Sequence, residues 1–202
     1  MENKLEKIDT IHFPTDYGKF LLTTYKADYP KQPRMKYAEV LQTENMPDVP
    51  YVRIQSSCLF GETFRTTQCD CGKQLDMSMK LLNENGGILF YLDQEGRAHG
   101  LFDKTKELRL QEDGLDTVEA SEKLNLDADD RDYQIVIDLL HEMGISKIKL
   151  ITNNPRKLVA FEASGIEMIE RVPLEVAVTE ANSKYLNAKK HKLGHLLTKF
   201  VK

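Results

Sequence analysis

Between Lys73 and Val172 the chain alternates between two hydrophobic periods, and that alternation restricts its fold more than any other feature. Lys73–Asn85 reads as a helix, with Leu75, Met79 and Leu82 at i, i+4 and i+7, and the Gly86-Gly87 pair stops it. Ile88–Leu92 follows as an unbroken apolar strand. Leu101–Glu112 reads as helical with Gly114 as its stop, and a short helix follows Asp116-Thr117. Asp129 or Asp130 is the expected cap of a stronger helix, striped by Tyr133, Val136, Ile137, Leu140 and Met143 and closed by Gly144. Ile148, Leu150 and Thr152 alternate as a strand, Asn154-Pro155 opens a helix that ends at Gly165, and Met168–Val172 returns as a strand. Upstream, residues 10–26 read as β-rich around the turn Pro14–Gly18, and Tyr51–Gln55 as a short strand. Strands alternating with helices predict an α/β fold: one domain over residues 1–202, with a mixed, partly parallel sheet flanked by helices.

Charge and composition narrow the function classes. The 28 Lys+Arg against 32 Asp+Glu give a net charge of −4, which argues against a nucleic-acid partner held by bulk charge. No apolar run approaches the roughly 18 residues of a membrane span, so no membrane partner is expected. The N-terminal Met1–Lys7 is charged and lacks an apolar signal core, which makes a reducing, cytoplasmic setting the expectation.

Cys58, Cys69 and Cys71 are the only cysteines. An odd number in a reducing compartment argues against a disulfide framework. Free cysteines are commonly small buried hydrophobes, but these sit among Ser56, Ser57, Thr66, Thr67, Gln68 and Asp70. A metal site is the sharper reading. Cys69 and Cys71 would share one face of an extended segment, and the ten residues after Cys58 allow a loop to bring in the third sulfur. Thiolates suit zinc, and three ligands leave one tetrahedral position open for a reactive water. His99 is the alternative fourth ligand.

Polar groups recur where an α/β fold places its ligands, at strand ends and helix starts. Arg53, Arg97, Arg131 and Lys157 all occupy such places and together would neutralise a polyphosphate. Taken singly, each reads equally well as a surface ion pair. A thiolate metal beside a phosphate clamp suggests hydrolysis of a nucleotide base. The His-x-Glu and Pro-Cys-x-x-Cys pattern of the zinc deaminases is absent, which disfavours simple deamination by that fold.

From about Phe13 to Leu197 the sequence resembles the GTP cyclohydrolase II family of riboflavin biosynthesis. The resemblance rests on Cys58-x10-Cys69-Asp70-Cys71-Gly72, Gln94-Glu95-Gly96-Arg97, Gly114-x-Asp116-Thr117-Val118-Glu119-Ala120 and Asp129-x-Arg131-Asp132. Thr152-Asn153-Asn154-Pro155, Glu170–Leu174, Tyr185-Leu186 and Gly194–Leu197 continue it. It implies a GTP cyclohydrolase II-like fold and a homodimer. It also implies a zinc-dependent hydrolase that opens the imidazole ring of GTP at C8 and releases formate and pyrophosphate. The product is a diamino-ribosylaminopyrimidinone phosphate, and Mg2+ accompanies the triphosphate. By position, Cys58, Cys69 and Cys71 are the implied zinc ligands. Arg53, Gln74, Glu95, Gly96, Arg97, Thr117, Thr152 and Lys157 fall at nucleotide-binding positions, with Gln74 and Glu95 near the base. Asp129 stands where the family has its proton acceptor, and Arg131 where it has a nucleophile toward the α-phosphorus. Arginine stays protonated, so electrostatic stabilisation of the phosphoryl transition state suits Arg131 better.

Two departures stand out. Ser57 replaces a family glutamate beside the first zinc ligand, and Leu108 occupies the place of a family tyrosine. Leucine offers neither proton nor hydrogen bond. A member so altered would retain the formyl group, act on another purine nucleotide, bind nucleotide without turnover, or be a weak ordinary member. The tail after Glu180 holds six lysines, His191, His195 and no acid. It reads either as a solvated basic helix or as a phosphate-facing segment.

Overall fold

The computed structural model describes residues 3–198, so Lys199 and Lys202 of the basic tail, and both ends of the expected 1–202 domain, lie outside the described residues. The chain opens with a hairpin of β1 (Lys4–Thr15) and β2 (Gly18–Asp28), followed by β3 (Tyr37–Thr43), β4 (Tyr51–Ser56), β5 (Gly87–Leu92), β6 (Lys147–Ile151) and β7 (Glu167–Val172). The helices are α1 (Leu59–Glu62), α2 (Cys71–Asn85), α3 (Leu101–Glu112), α4 (Thr117–Lys123), α5 (Gln134–Glu142), α6 (Pro155–Glu162) and α7 (Glu180–His191). The strands form one seven-stranded sheet in the order β1-β2-β3-β5-β4-β6-β7. The β1–β2, β2–β3 and β3–β5 pairs are antiparallel, and β5–β4, β4–β6 and β6–β7 are parallel. The mixed, partly parallel α/β sheet is therefore as the alternation predicts.

Burial explains the unbroken apolar run of β5. Ile88, Phe90 and Leu92 join Val52, Ile54, Ile148 and Leu150 under Ile135, Val136, Leu139 and Leu140 of α5 and Phe161 of α6. Leu89 points to the other face, where Phe20, Leu41 and Ile151 pack under Met79 and Leu82 of α2. A strand covered on both faces has no polar side to display. Gly86, at φ +79°, ends α2 where a side chain would meet Asn45 O and Pro47 Cδ, both at 2.7 Å.

Four expectations need correction. Tyr133, not Asp129 or Asp130, is the residue before α5, and Asp132 accepts the Gln134 N–H at 2.7 Å. With three acids in four residues the local pattern cannot choose between them; Asp129 is drawn off by Arg131. Cys69 and Cys71 are not in an extended segment, because Cys71 opens α2. Thr152 lies just beyond β6, and α6 ends at Glu162, before Gly165. Strand β3 was not foreseen: Val40 and Leu41 are both buried and Gln42 falls on the face of Ala38 and Val40, so its seven residues show no clean alternation.

The topology fixes where ligands can sit. From β4 the chain crosses to β5 on one side, then returns to β6 on the other. Crossovers leaving adjacent parallel strands in opposite directions open a crevice at their carboxyl ends.

Candidate active site

That crevice is a cleft with two lobes. The inner lobe, about 90 Å³, lies over the ends of β4 and β6. The outer lobe, about 490 Å³, lies between the Cys58–Cys71 segment and α3. Ser56, Cys71, Arg97, Thr117, Arg131 and Tyr185 line both, so the two are continuous.

The three thiols converge at this junction. Cys58 leaves β4, Cys69 ends the following loop and Cys71 begins α2. Their Sγ atoms lie within 4.8 Å of one another, with Cys58 and Cys69 at 4.0 Å. A β-carbon on Gly61 would come within 2.7 Å of Cys69 Sγ and 3.1 Å of Cys58 Sγ, so this glycine keeps the space beside the sulfurs open. Hydrogen bonds from the Cys69 and Cys71 thiols, and the nearby Lys104 ammonium, hold the Cys58 thiol well below its ordinary pKa; the Cys69 thiol is pushed up in turn. Three close thiols with a kept space beside them fit a soft divalent ion such as zinc. His99 is not a fourth ligand here: it is buried against Glu107, Nδ1 to Oε1 at 3.4 Å.

The supporting contacts are specific. Lys104 Nζ lies 3.2 Å from Cys58 Sγ and 2.5 Å from Glu95 Oε1. The other Glu95 oxygen accepts the Leu59 N–H at 2.7 Å. Glu62 accepts from the Cys58 N–H, from Gln55 Nε2 at 2.6 Å and from Tyr91 Oη at 2.7 Å.

The inner lobe is cationic. Arg53, Arg97, Arg131, Lys157 and Lys189 line it, and among the described residues no carboxylate does. Arg53 donates twice to Gln55 Oε1 (3.1 and 2.7 Å) and once to Gln74 Oε1 (2.9 Å). Gln74 passes the chain on to Asp70, which accepts from Lys189 Nζ at 2.7 Å. Lys157 Nζ donates to Ile54 O at 2.7 Å. Burial lowers Arg53 to about 10. Burial, Arg53 and Arg131 together push Lys157 well below its ordinary value. Charges crowded out of water in this way are relieved by an anion.

The structure therefore gathers the four cations read from the sequence, together with Thr117 and Thr152, in one lobe. Glu95 and Gly96 line the outer lobe, with Ser57 and Leu108. Gln74 lines the inner lobe instead. Asp129 lines neither and lies behind Arg131. Sequence reasoning missed Gln55, Lys104, Glu107, Tyr185 and Lys189. For Tyr185 and Lys189 a signal existed, since four residues apart on a helix is one face. For Glu107 none did, because its partner Arg97 lies across a loop from it.

A mixed α/β sheet with a cationic hollow and three converging thiols at its switch point defines a class of fold that could hold an anionic ligand beside a metal. The chain belongs to the GTP cyclohydrolase II family, whose model matches residues 6–173. It is 41% identical over 198 residues to the GTP cyclohydrolase-2 of Buchnera aphidicola subsp. Schizaphis graminum, covering 97% of this chain and 100% of that one. It is 42% identical to the riboflavin biosynthesis protein RibBA of Chlorobium phaeovibrioides, covering 93% of this chain. It spans 45% of that relative's length, about half. A solved structure of RibBX, a two-domain 3,4-dihydroxy-2-butanone 4-phosphate synthase from A. baumannii, overlaps 87% of this chain and 40% of its own at a TM-score of 0.45 and 17% identity.

Proposed function

We propose that this chain is a zinc-dependent hydrolase of riboflavin biosynthesis that opens the imidazole ring of GTP at C8, with release of formate and pyrophosphate. The observation that carries the reading is the continuity of a carboxylate-free cationic lobe with the three-thiol cluster. Arg53, Arg97, Arg131 and Lys157 bind the triphosphate, which arrives with Mg2+, and Thr117 and Thr152 donate to it. Gln74 braces Arg53 from the same side. The guanine extends into the outer lobe past Glu95 and Gly96, against Phe60 and Leu108. Cys58, Cys69 and Cys71 hold the zinc ion, which supplies Lewis acidity for hydrolysis at an electron-poor ring carbon. Arg131 stabilises charge at the α-phosphorus, and Asp129 fixes its guanidinium. The homodimer and the cytoplasmic setting implied by the resemblance belong to the same proposal; among the described residues no helix is long and apolar enough to cross a membrane.

Leu108 in the outer-lobe wall favours a second reading, in which ring opening proceeds but the formyl group stays on the product, or another purine nucleotide is the substrate. One experiment separates the readings: incubation of the zinc-loaded chain with GTP, ATP, CTP and UTP in turn, followed by product mass analysis. Formate and pyrophosphate from GTP support the first. A formyl-bearing product, or turnover of ATP alone, supports the second. Binding without turnover would make the chain a nucleotide-binding protein, and no binding of any triphosphate overturns all three.

A further inference from the structure

Residues 174–198 lie beyond the stretch the family model matches, yet they supply one side of the cationic lobe. Helix α7 places Tyr185 and Lys189 on one face, and both line the lobe with Leu193 and His195. The segment is fastened at both flanks. Lys184 Nζ donates to Gly114 O at 2.7 Å, and Lys192 pairs with Asp116 and with Glu119 (3.0 Å) at the start of α4. On the other side Leu196 N donates to Asn153 O at 2.8 Å, in the turn that opens α6. Between these ties His195 N donates to Lys189 O at 2.9 Å, which folds the tail back over the lobe.

Lys189 is not a surface lysine. Its side chain is 13% exposed, and its ammonium lies 4.4 Å from the centre of the Tyr185 ring. One N–H goes to Asp70 Oδ1 at 2.7 Å. An ammonium has three N–H groups, so the bond to Asp70 leaves two for a ligand in the lobe. His195 stands among Lys189, Arg131 and Lys157, which together with burial keep its imidazole neutral. A neutral imidazole still offers one N–H to an anion.

We propose that Lys189 and His195 are further binding residues for the phosphate groups of the ligand, and that α7 and the turn behind it form a wall of the phosphate site. This rests on the reading that a nucleoside triphosphate occupies the cleft. Of the two meanings the basic tail allows, it selects the phosphate-facing one for Lys189, while Lys184 and Lys192 serve to fasten the wall.

Calorimetric titration of the full chain with inorganic tripolyphosphate, and separately with GTP, tests it. In K189A both affinities fall about tenfold or more, as expected for loss of a charge-assisted contact, and K189R recovers most of the loss. H195A weakens both by about threefold to tenfold. H195A breaks no ion pair, so it carries the test alone if K189A, which leaves the buried Asp70 without its ammonium partner and with Gln74 still bonded to it, folds poorly. Wild-type affinity for tripolyphosphate in both K189A and H195A overturns the proposal. Tripolyphosphate binding that depends on Lys189 but is not displaced by GTP leaves the wall in place and overturns the nucleotide reading instead.

Discussion

Arg131 grips Asp129 through two parallel hydrogen bonds, Nε to Oδ1 at 2.8 Å and Nη2 to Oδ2 at 2.6 Å, although only one residue separates them. Arg156 adds a second cation at 3.6 Å. Burial alone would raise the Asp129 pKa; the Arg131 bonds outweigh it and hold the carboxyl at about 2. A carboxylate so held is a poor proton acceptor until the pair opens, and its two bonds fix the guanidinium in one orientation.

Asp129→Asn is expected to destabilise the fold by about 3 kcal/mol, because Arg131 stays buried without its counter-charge. Urea denaturation measures this. The folded pKa is depressed, so the stabilisation is present above the ordinary value of 3.8 and is lost as pH falls through about 2. A variant as stable as the parent at pH 7 would show that the pair contributes nothing.

Gly61→Ala is expected to lower zinc content severalfold while leaving far-ultraviolet circular dichroism unchanged. The added carbon would sit 2.7 Å from Cys69 Sγ and 3.0 Å from Cys71 Cβ. Atomic absorption on the purified variant decides it; full zinc occupancy would mean that the cradle gives way at no cost.

Leu108→Tyr puts a hydroxyl in the outer-lobe wall. Proton-transfer help typically supplies about 10²–10⁴-fold, so formate release from GTP should rise by at least tenfold. Coupled formate detection measures it, and an unchanged rate would remove residue 108 from the chemistry.

Arg97→Ala affects more than binding. Arg97 donates to Ala128 O (2.9 Å), Glu107 Oε2 (3.1 Å), Thr117 O (3.2 Å) and Ser121 Oγ (3.0 Å), and so joins α3, α4 and the loop before α5. Its loss takes the guanidinium from a buried Glu107 carboxylate, which keeps only Ser121 Oγ (2.7 Å) and His99 (3.4 Å), and should cost about 3 kcal/mol of stability as well as weakening triphosphate binding. Arg97→Lys should rescue little, since one ammonium cannot reach four acceptors in the plane of a fork. Thermal melts and GTP titrations on both variants separate the two losses.

His195 makes stability fall on the acid side. Burial, then Lys189, Arg131 and Lys157, lower its folded pKa to about 3 against an ordinary 6.5; Asp129 opposes them. The unfolded chain binds the proton first, so stability is full above pH 6.5 and declines as pH drops toward 3. His195→Gln should flatten the decline between pH 6.5 and 5, by up to roughly 1.4 kcal/mol per pH unit. Denaturation curves at stepped pH show it, and parallel profiles for parent and variant would sink it.

The sheet was legible because β5 and α2 carry uncompromised periods and a Gly86-Gly87 stop between them. The cation cluster was half legible: Arg53, Arg97, Arg131 and Lys157 each mark a strand end or helix start, but only the strand order brings them into one hollow. Strand β3 was missed because buried Val40 and Leu41 stand side by side and blur its alternation. The Asp129 cap failed because its carboxylate is taken by the neighbouring Arg131, while Asp132 accepts the amide at the start of α5. The bond from Lys189 to Asp70 joins residues 119 positions apart, which no local pattern encodes.

The fastening of α7 also sets an order of events during synthesis. All three sulfurs, and every cation of the hollow except Lys189, have been translated by residue 157, while the covering helix begins at residue 180. The wall is therefore the last part of the hollow to be made, and the hollow has its full lining only when the residues from 180 to 195 are in place.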